Sequence, residues 1–79
     1  MKKVTIYSTP TCPYCKMAKE FLTEKGIEFT NIDVSTDPKS AQEMIEKSGQ
    51  MGVPVLDIEG EIIIGYDRER IASLLGIKD

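Results

Sequence analysis

The sequence predicts an α/β fold: a four-stranded mixed sheet flanked by three helices, in the order β-α-β-α-β-β-α. Three observations carry this. Short runs rich in β-branched residues alternate with longer segments whose apolar residues recur at helical spacing. Each helical segment opens at a capping residue or a proline and closes on a glycine. The last two strand-like runs, Val53 to Ile58 and Glu61 to Ile64, are separated only by Glu59-Gly60, the length of a tight hairpin turn.

Taken in order, Val4 to Tyr7 reads as the first strand and Ser8-Thr9-Pro10-Thr11 as a loop. A helix is expected from about Pro13 to Lys25. Proline suits a first helical position, because that N–H has no helical partner, and Gly26 suits the residue just past the end. Tyr14, Met17, Ala18, Phe21 and Leu22 follow the i, i+3, i+4, i+7, i+8 pattern, so one buried stripe is expected. Glu28 to Val34 reads as the second strand. Ile27 and Phe29 fall on one parity, Ile32 and Val34 on the other, which predicts a bulge or a change of face. Asp37-Pro38 opens a second helix with Ala41, Met44 and Ile45 inward, closed by Gly49. After the hairpin, Asp67 caps a last helix with Ile71, Leu74 and Leu75 inward, closed by Gly76. The opening strand–helix–strand predicts a parallel pair with a right-handed crossover, and the hairpin an antiparallel pair.

A chain of 79 residues has room for one small domain, expected over residues 1–79. Its net charge of −3, with no basic cluster, argues against a nucleic-acid partner. It contains no histidine, which removes the usual general base and the commonest zinc ligand. Met1-Lys2-Lys3 is basic, but Val4 to Tyr7 is too short for a signal-peptide core, and no apolar run reaches membrane-spanning length. A cytoplasmic protein with no membrane partner is expected. In a reducing cytoplasm two close cysteines are not a permanent staple; they are a redox pair or half of a metal site.

Those cysteines are Cys12 and Cys15, in Cys12-Pro13-Tyr14-Cys15. At a helix start both sulfurs lie near one end. The free N–H groups of the first turn and the positive end of the helix dipole favour a thiolate at Cys12. Lys16 and Lys19 add positive potential nearby. Cys15, one turn inside, is expected to be less exposed, so Cys12 attacks and Cys15 resolves. A zinc site needs four ligands, and this chain offers two cysteines and no histidine, so no metal is expected. Placement between a strand and a helix favours redox chemistry.

The stretch Ile6-Tyr7-Ser8-Thr9-Pro10-Thr11-Cys12-Pro13-Tyr14-Cys15 resembles the active-site segment of glutaredoxins, and Cys-Pro-Tyr-Cys is typical of their dithiol branch. The resemblance continues through Gly52-Val53-Pro54, similar to the family's Thr-Val-Pro, and Gly65-Tyr66-Asp67, similar to its Gly-x-Asp before the last helix. It implies a thioredoxin fold and a thiol–disulfide oxidoreductase. The implied co-substrate is glutathione, and the implied partners are disulfide-containing or glutathionylated proteins. It also implies that Pro54 is a cis-proline facing the dithiol, leaving the Val53 backbone free to pair with an extended substrate. By composition alone Gly52-Val53-Pro54 reads as a loop entering a strand.

Asp67 has two readings: a helix cap, and by resemblance a contact for the γ-glutamyl end of glutathione. Gly65 serves either backbone approach or a turn. Tyr66 either lines the groove or packs on the surface. Tyr14 completes the implied binding set. The chain also departs from the family. Ser8 to Thr11 lacks the usual lysine that pairs with a glutathione carboxylate, Ile64-Gly65 replaces a Gly-Gly pair, and Arg68 stands where a second acid often follows. Two other functions stay open: a redoxin reduced by a flavoprotein reductase, and a module holding an iron–sulfur cluster between two chains.

Overall fold

The computed structural model describes residues 3–50 and 52–77; Met1 and Lys2, considered above for targeting, and the other ends of the expected 1–79 domain lie outside them. The elements are β1 (Val4–Ser8), α1 (Pro13–Glu24), β2 (Thr30–Asp33), α2 (Pro38–Ser48), β3 (Val55–Ile58), β4 (Glu61–Ile64) and α3 (Arg68–Leu75). The sheet order is β2-β1-β3-β4. β1 and β2 run parallel, as a strand–helix–strand unit requires, while β1–β3 and β3–β4 are antiparallel. This is the thioredoxin fold.

The helix boundaries follow from capping chemistry. Asp37 accepts from the Ser40 N–H and Pro38 occupies the first helical position; Gly49 closes α2 with φ 75°. Asp67 accepts from the Arg70 N–H to start α3. In the β3–β4 hairpin both turn residues take positive φ, Glu59 at 52° and Gly60 at 91°, the twist that matches antiparallel strands. Glu59 is not a residue that favours this conformation. It is held by its N–H to the Lys3 carbonyl at 3.1 Å and by its carboxylate, which accepts from the Lys3 N–H at 3.1 Å.

Apolar residues cover both faces of the sheet. Val4, Ile6, Leu56, Ile58 and Ile63 pack under α1 and α3, against Ala18, Phe21, Leu22, Ile71 and Ala72. Tyr7 and Val55 pack on the other face against Met44 of α2. This two-sided burial decides one expectation and corrects another. First, of the bulge or change of face expected around β2, the change of face is what occurs: its register with β1 runs one to one from Thr5↔Thr30 to Ser8↔Asp33. Ile27 and Phe29 join the α1/α3 core, while Ile32 and Val34 join the α2 core, so the mixed parity records two covered faces. The strand is also shorter than Glu28 to Val34. Second, the buried side of α1 is Cys15, Ala18, Phe21 and Leu22. Tyr14 is 60% exposed and Met17 47%, because the helix is turned to bury Cys15 and they fall on its flank.

A polar network that the sequence reading did not anticipate ties α2 to the sheet. The Tyr7 hydroxyl donates to Glu43 Oε1 (3.0 Å) and accepts from Lys47 Nζ (3.1 Å). Lys47 also donates to Asp57 Oδ2 at 3.0 Å. Burial pushes the Asp57 carboxyl up, but the Lys47 ammonium and the Gly60 N–H outweigh it, so it lies below its ordinary value. The same carboxylate receives the Gly60 N–H at 2.9 Å, which joins the hairpin turn to α2. Lys47→Met is therefore expected to destabilise the fold by about 1–2 kcal/mol at pH 7, after allowing for the partial exposure of the pair. Urea midpoints of the two proteins check this, and an unchanged midpoint rejects a stabilising role for the network.

Candidate functional site

Cys12 is the N-cap of α1, with extended backbone at φ −87° and ψ 113°. An N-cap side chain ordinarily offers an oxygen to the free N–H groups of the first turn. Here sulfur does it: the Cys15 N–H donates to Cys12 Sγ at 3.2 Å. That donor and the start of α1 both face this sulfur. The backbone around it is fixed at both sides. The Cys12 N–H donates to the Thr9 carbonyl (3.3 Å), and the Cys12 carbonyl accepts from Lys16 (3.2 Å).

The two thiols differ sharply. Both are free; Cys12 is half-buried and Cys15 fully buried. Burial, helped by the hydrogen bond with Cys12, pushes the Cys15 thiol up to about 11, against the backbone of Thr9 and the charge of Lys19. At neutral pH Cys15 is therefore a neutral thiol. Part of its shift comes from Cys12, so capping Cys12 in a mixed disulfide relieves that part.

A second segment closes on the sulfur. The Val53 carbonyl lies 3.8 Å from Cys12 Sγ, within reach of a thiol hydrogen bond, and the Val53–Pro54 bond is cis. Val53 precedes β3 and is half-buried; Pro54 is buried. The Pro54 carbonyl accepts the Gly65 N–H at 2.8 Å, so the end of β4 is fastened beside the same segment. Thus Cys12, Val53, Pro54 and Gly65 form one connected set.

The remaining residues divide. Gly65 has φ 81°, so its glycine is explained by the turn. Gly52 has no such requirement: a Cβ there would make ordinary contact with the Gln50 side chain at 3.5 Å. Tyr14 stands exposed next to the thiol. Tyr66 packs: its ring meets Phe21 edge-on at 6.4 Å, with an interplanar angle of 65°. The Asp67 side chain caps α3, with Oδ1 at 3.2 Å from the Arg70 N–H. Two cations, Arg68 and Lys25, lie over the Phe21 ring at 5.4 and 5.9 Å, contacts not anticipated from the sequence. The i+4 spacing of Phe21 and Lys25 was a signal for the second alone. Among the described residues no cluster of three or more histidine, cysteine or acidic side chains could hold a metal, and no helix is long and apolar enough to cross a membrane.

Comparison with known proteins agrees with this geometry. A glutaredoxin family model matches residues 4–63. A glutaredoxin-like 8.6 kDa protein of the rubredoxin operon of Clostridium pasteurianum is 47% identical over 72 residues, covering 91% of this chain and 96% of that protein. Among solved structures, the glutaredoxin grx-1 of Archaeoglobus fulgidus superposes with a TM-score of 0.86 at 30% identity, covering 95% of this chain and 87% of that one. The NrdH-redoxin of Escherichia coli, a glutaredoxin-like protein with a thioredoxin-like activity profile, superposes with a TM-score of 0.82 at 25% identity, covering 91% and 93%.

The raised Cys15 thiol has a consequence for stability. The folded chain holds that proton more tightly than the ordinary value of 9.0. The stabilisation is complete below about pH 9 and is lost as pH rises toward 11. The reduced protein is expected to lose melting temperature across that window more steeply than Cys15→Ala measured alongside it. Tyrosine and lysine titrations are common to both, so parallel slopes would show that burial does not hold the proton.

Proposed function

The chain belongs to the glutaredoxin family of the thioredoxin superfamily and is a thiol–disulfide oxidoreductase; from that premise we propose that it reduces protein disulfides and glutathione mixed disulfides through Cys12 and Cys15, with glutathione as the electron donor. The observation that carries this reading is Cys12 itself: a half-buried sulfur capped by the Cys15 N–H at 3.2 Å, with a buried second thiol one turn on.

The steps follow from that asymmetry. Cys12 thiolate attacks one sulfur of the substrate disulfide, forming a mixed disulfide, and the released thiolate takes a proton from solvent. Cys15 loses its proton and attacks Cys12 Sγ, forming the Cys12–Cys15 disulfide and releasing the second substrate thiolate. Two glutathione molecules then return the pair to two thiols and leave as glutathione disulfide. The Val53 backbone, half-exposed beside the sulfur, suits strand-like pairing with an extended substrate. Tyr14, Gly52, Pro54, Gly65, Tyr66 and Asp67 complete the proposed binding set. Within it, Pro54 and Gly65 supply backbone, Tyr66 supports the groove from the core side, and Asp67 faces the γ-glutamyl end while capping α3. We place this work in the cytoplasm, with the chain acting as a single domain and taking part in electron transport and redox homeostasis.

A second reading has its own support. Ser8 to Thr11 carries no charge for a glutathione carboxylate, and Asp67 already spends an oxygen on the Arg70 N–H. The NrdH-redoxin is a neighbour with a thioredoxin-like activity profile. On this reading a flavoprotein reductase supplies the electrons.

Cysteine variants separate the steps. Cys12→Ser is expected to abolish reduction of every substrate, because serine has no accessible oxyanion at neutral pH. Cys15→Ser is expected to retain turnover of a glutathionylated peptide, where a second glutathione resolves the intermediate. Equal loss in both variants on that peptide would defeat glutathione as donor. Asp67→Asn then distinguishes the two readings, since it keeps most of the capping geometry and removes the charge. A slower glutathione-coupled rate with little change in melting temperature supports glutathione; an unchanged rate favours the flavoprotein. Thr9→Lys supplies the absent cation and is expected to tighten glutathione use by about 0.2–1 kcal/mol, the range of an exposed pair.

A further inference from the structure

The resolving step asks more of the protein than the attacking one. Cys15 is buried and holds its proton well above neutral pH, yet it has to become a thiolate before it can attack Cys12 Sγ. Burial raises its thiol most, and Cys12 raises it further. The Thr9 backbone and the Lys19 charge lower it. All of these groups belong to α1, its cap and the loop before it. Once Cys12 is held in a mixed disulfide its contribution is relieved, and Lys19 is the one full positive charge among them.

Helix geometry puts that charge where it can be used. Lys19 follows Cys15 by four residues, which sets it about 40° around the helix from Cys15, while Lys16 is about 100° away. A helical side chain leans toward the N-terminus and covers the turn before its own Cα, so the Lys19 stem lies over the turn that carries Cys15. Burial agrees: Lys19 is half-buried and Lys16 exposed. A charge on a half-buried side chain is screened less than one in open solvent. It is also not neutralised. The helical neighbours of Lys19 at three and four residues are Cys15, Lys16, Leu22 and Thr23, none of them acidic. Among the described residues no carboxylate forms an ion pair with it.

We propose that Lys19 serves the resolving step: its ammonium, over the turn that carries Cys15, stabilises the Cys15 thiolate as it forms and attacks. The inference deepens the dithiol reading above and rests on it. In that step the Cys15 Sγ–Cys12 Sγ bond forms and the disulfide bond between Cys12 and the substrate breaks. The electron pair leaves on the substrate sulfur. The Cys15 proton passes to solvent, and the departing thiolate takes one from solvent. Lys19 keeps its proton throughout; it is a positioning residue that acts through Cys15, not a base. The earlier attack of Cys12 on the substrate does not call on it.

A neutral reagent separates the two steps. Reduced full-length chain mixed with excess 4,4′-dithiodipyridine releases one 4-thiopyridone when Cys12 attacks, at a rate set by the reagent concentration. It releases a second when Cys15 resolves the mixed disulfide, at a rate independent of that concentration. Lys19→Met is expected to leave the first phase unchanged and to slow the second by about threefold at pH 7. That figure follows from about a tenfold loss of thiolate, offset by about a threefold gain in nucleophilicity at a Brønsted slope of about 0.5. The deficit should shrink as pH rises and the thiol ionises unaided. Lys19→Arg, which keeps the charge, should restore the second phase. A second phase unchanged in Lys19→Met, or slowed as much in Lys19→Arg, overturns the proposal. So does an equal slowing of both phases, which marks a structural effect. Equal slowing by Lys16→Met, which removes a charge from the exposed side of α1, overturns it too. If the wild-type chain releases no second equivalent, the dithiol reading fails and the proposal falls with it.

Discussion

Which side of α1 is pressed against the sheet decides nearly everything about the candidate site. Cys15, Ala18, Phe21 and Leu22 are the buried side, and Phe21 and Leu22 each contribute about 1.5–3 kcal/mol by leaving water. With about 100° between successive residues, that choice leaves no freedom for the rest of the first turn. Cys15 has to be inside. Cys12, three residues earlier, has to sit at the cap, where its sulfur takes over the work of a serine or aspartate oxygen. Tyr14 and Met17 are left on the flank, in solvent beside the sulfur. The helix is rotated by hydrophobic burial, and the difference between the two thiols is a by-product of that rotation.

The opposing side of the site comes from the sheet. β1 lies centrally, pairing parallel to β2 and antiparallel to β3. The loop that carries Cys12 leaves the C-terminal end of β1, and Val53-Pro54 enters the start of β3. Because these strands are antiparallel, Tyr7 pairs with Val55, and both segments meet at the same end of the two central strands. The hairpin then returns β4 so that Gly65 fastens onto the Pro54 carbonyl. No long-range search is needed to assemble Cys12, Val53 and Gly65; the register of three strands does it. The Tyr7–Lys47–Asp57 network serves the same end indirectly. It joins α2, β1 and the hairpin turn, and α2 leads directly into the segment that carries Val53.

The element order, the caps at Asp37 and Asp67, the glycine stops and the hairpin were legible because each is local: a residue type placed at a position with one good conformational use. The placement of Cys12 and Cys15 was legible for the same reason, since a three-residue spacing at a helix start fixes one sulfur at the cap and the other a turn inside. What was harder to read was non-local. Ile27, Phe29, Ile32 and Val34 left a bulge and a change of face as alternatives, and only the two covered faces of the folded sheet decide for the change of face. Tyr14 and Met17 matched the helical stripe as well as Ala18 and Leu22 do, and only the position of the sheet separates them. Tyr66 could be assigned only once Phe21 was seen to lie under it. The network at Lys47 joins residues up to 40 positions apart and left no local trace.

A division of labour follows. The reactive part of the site is made from backbone groups and burial: the Cys15 N–H, the Val53 carbonyl, the helix end, and a core that hides Cys15. None of these depends on a surface charge. The features that depart from the family pattern are side chains outside that set, an uncharged loop from Ser8 to Thr11 and an arginine at position 68. Exposed charges contribute little individually and are screened by salt, so they alter which partner is preferred far more readily than they alter whether a thiolate can form. Chemistry and recognition in this chain are therefore separable: the dithiol and its backbone setting can stay fixed while changes at a few surface positions alter which partner is preferred.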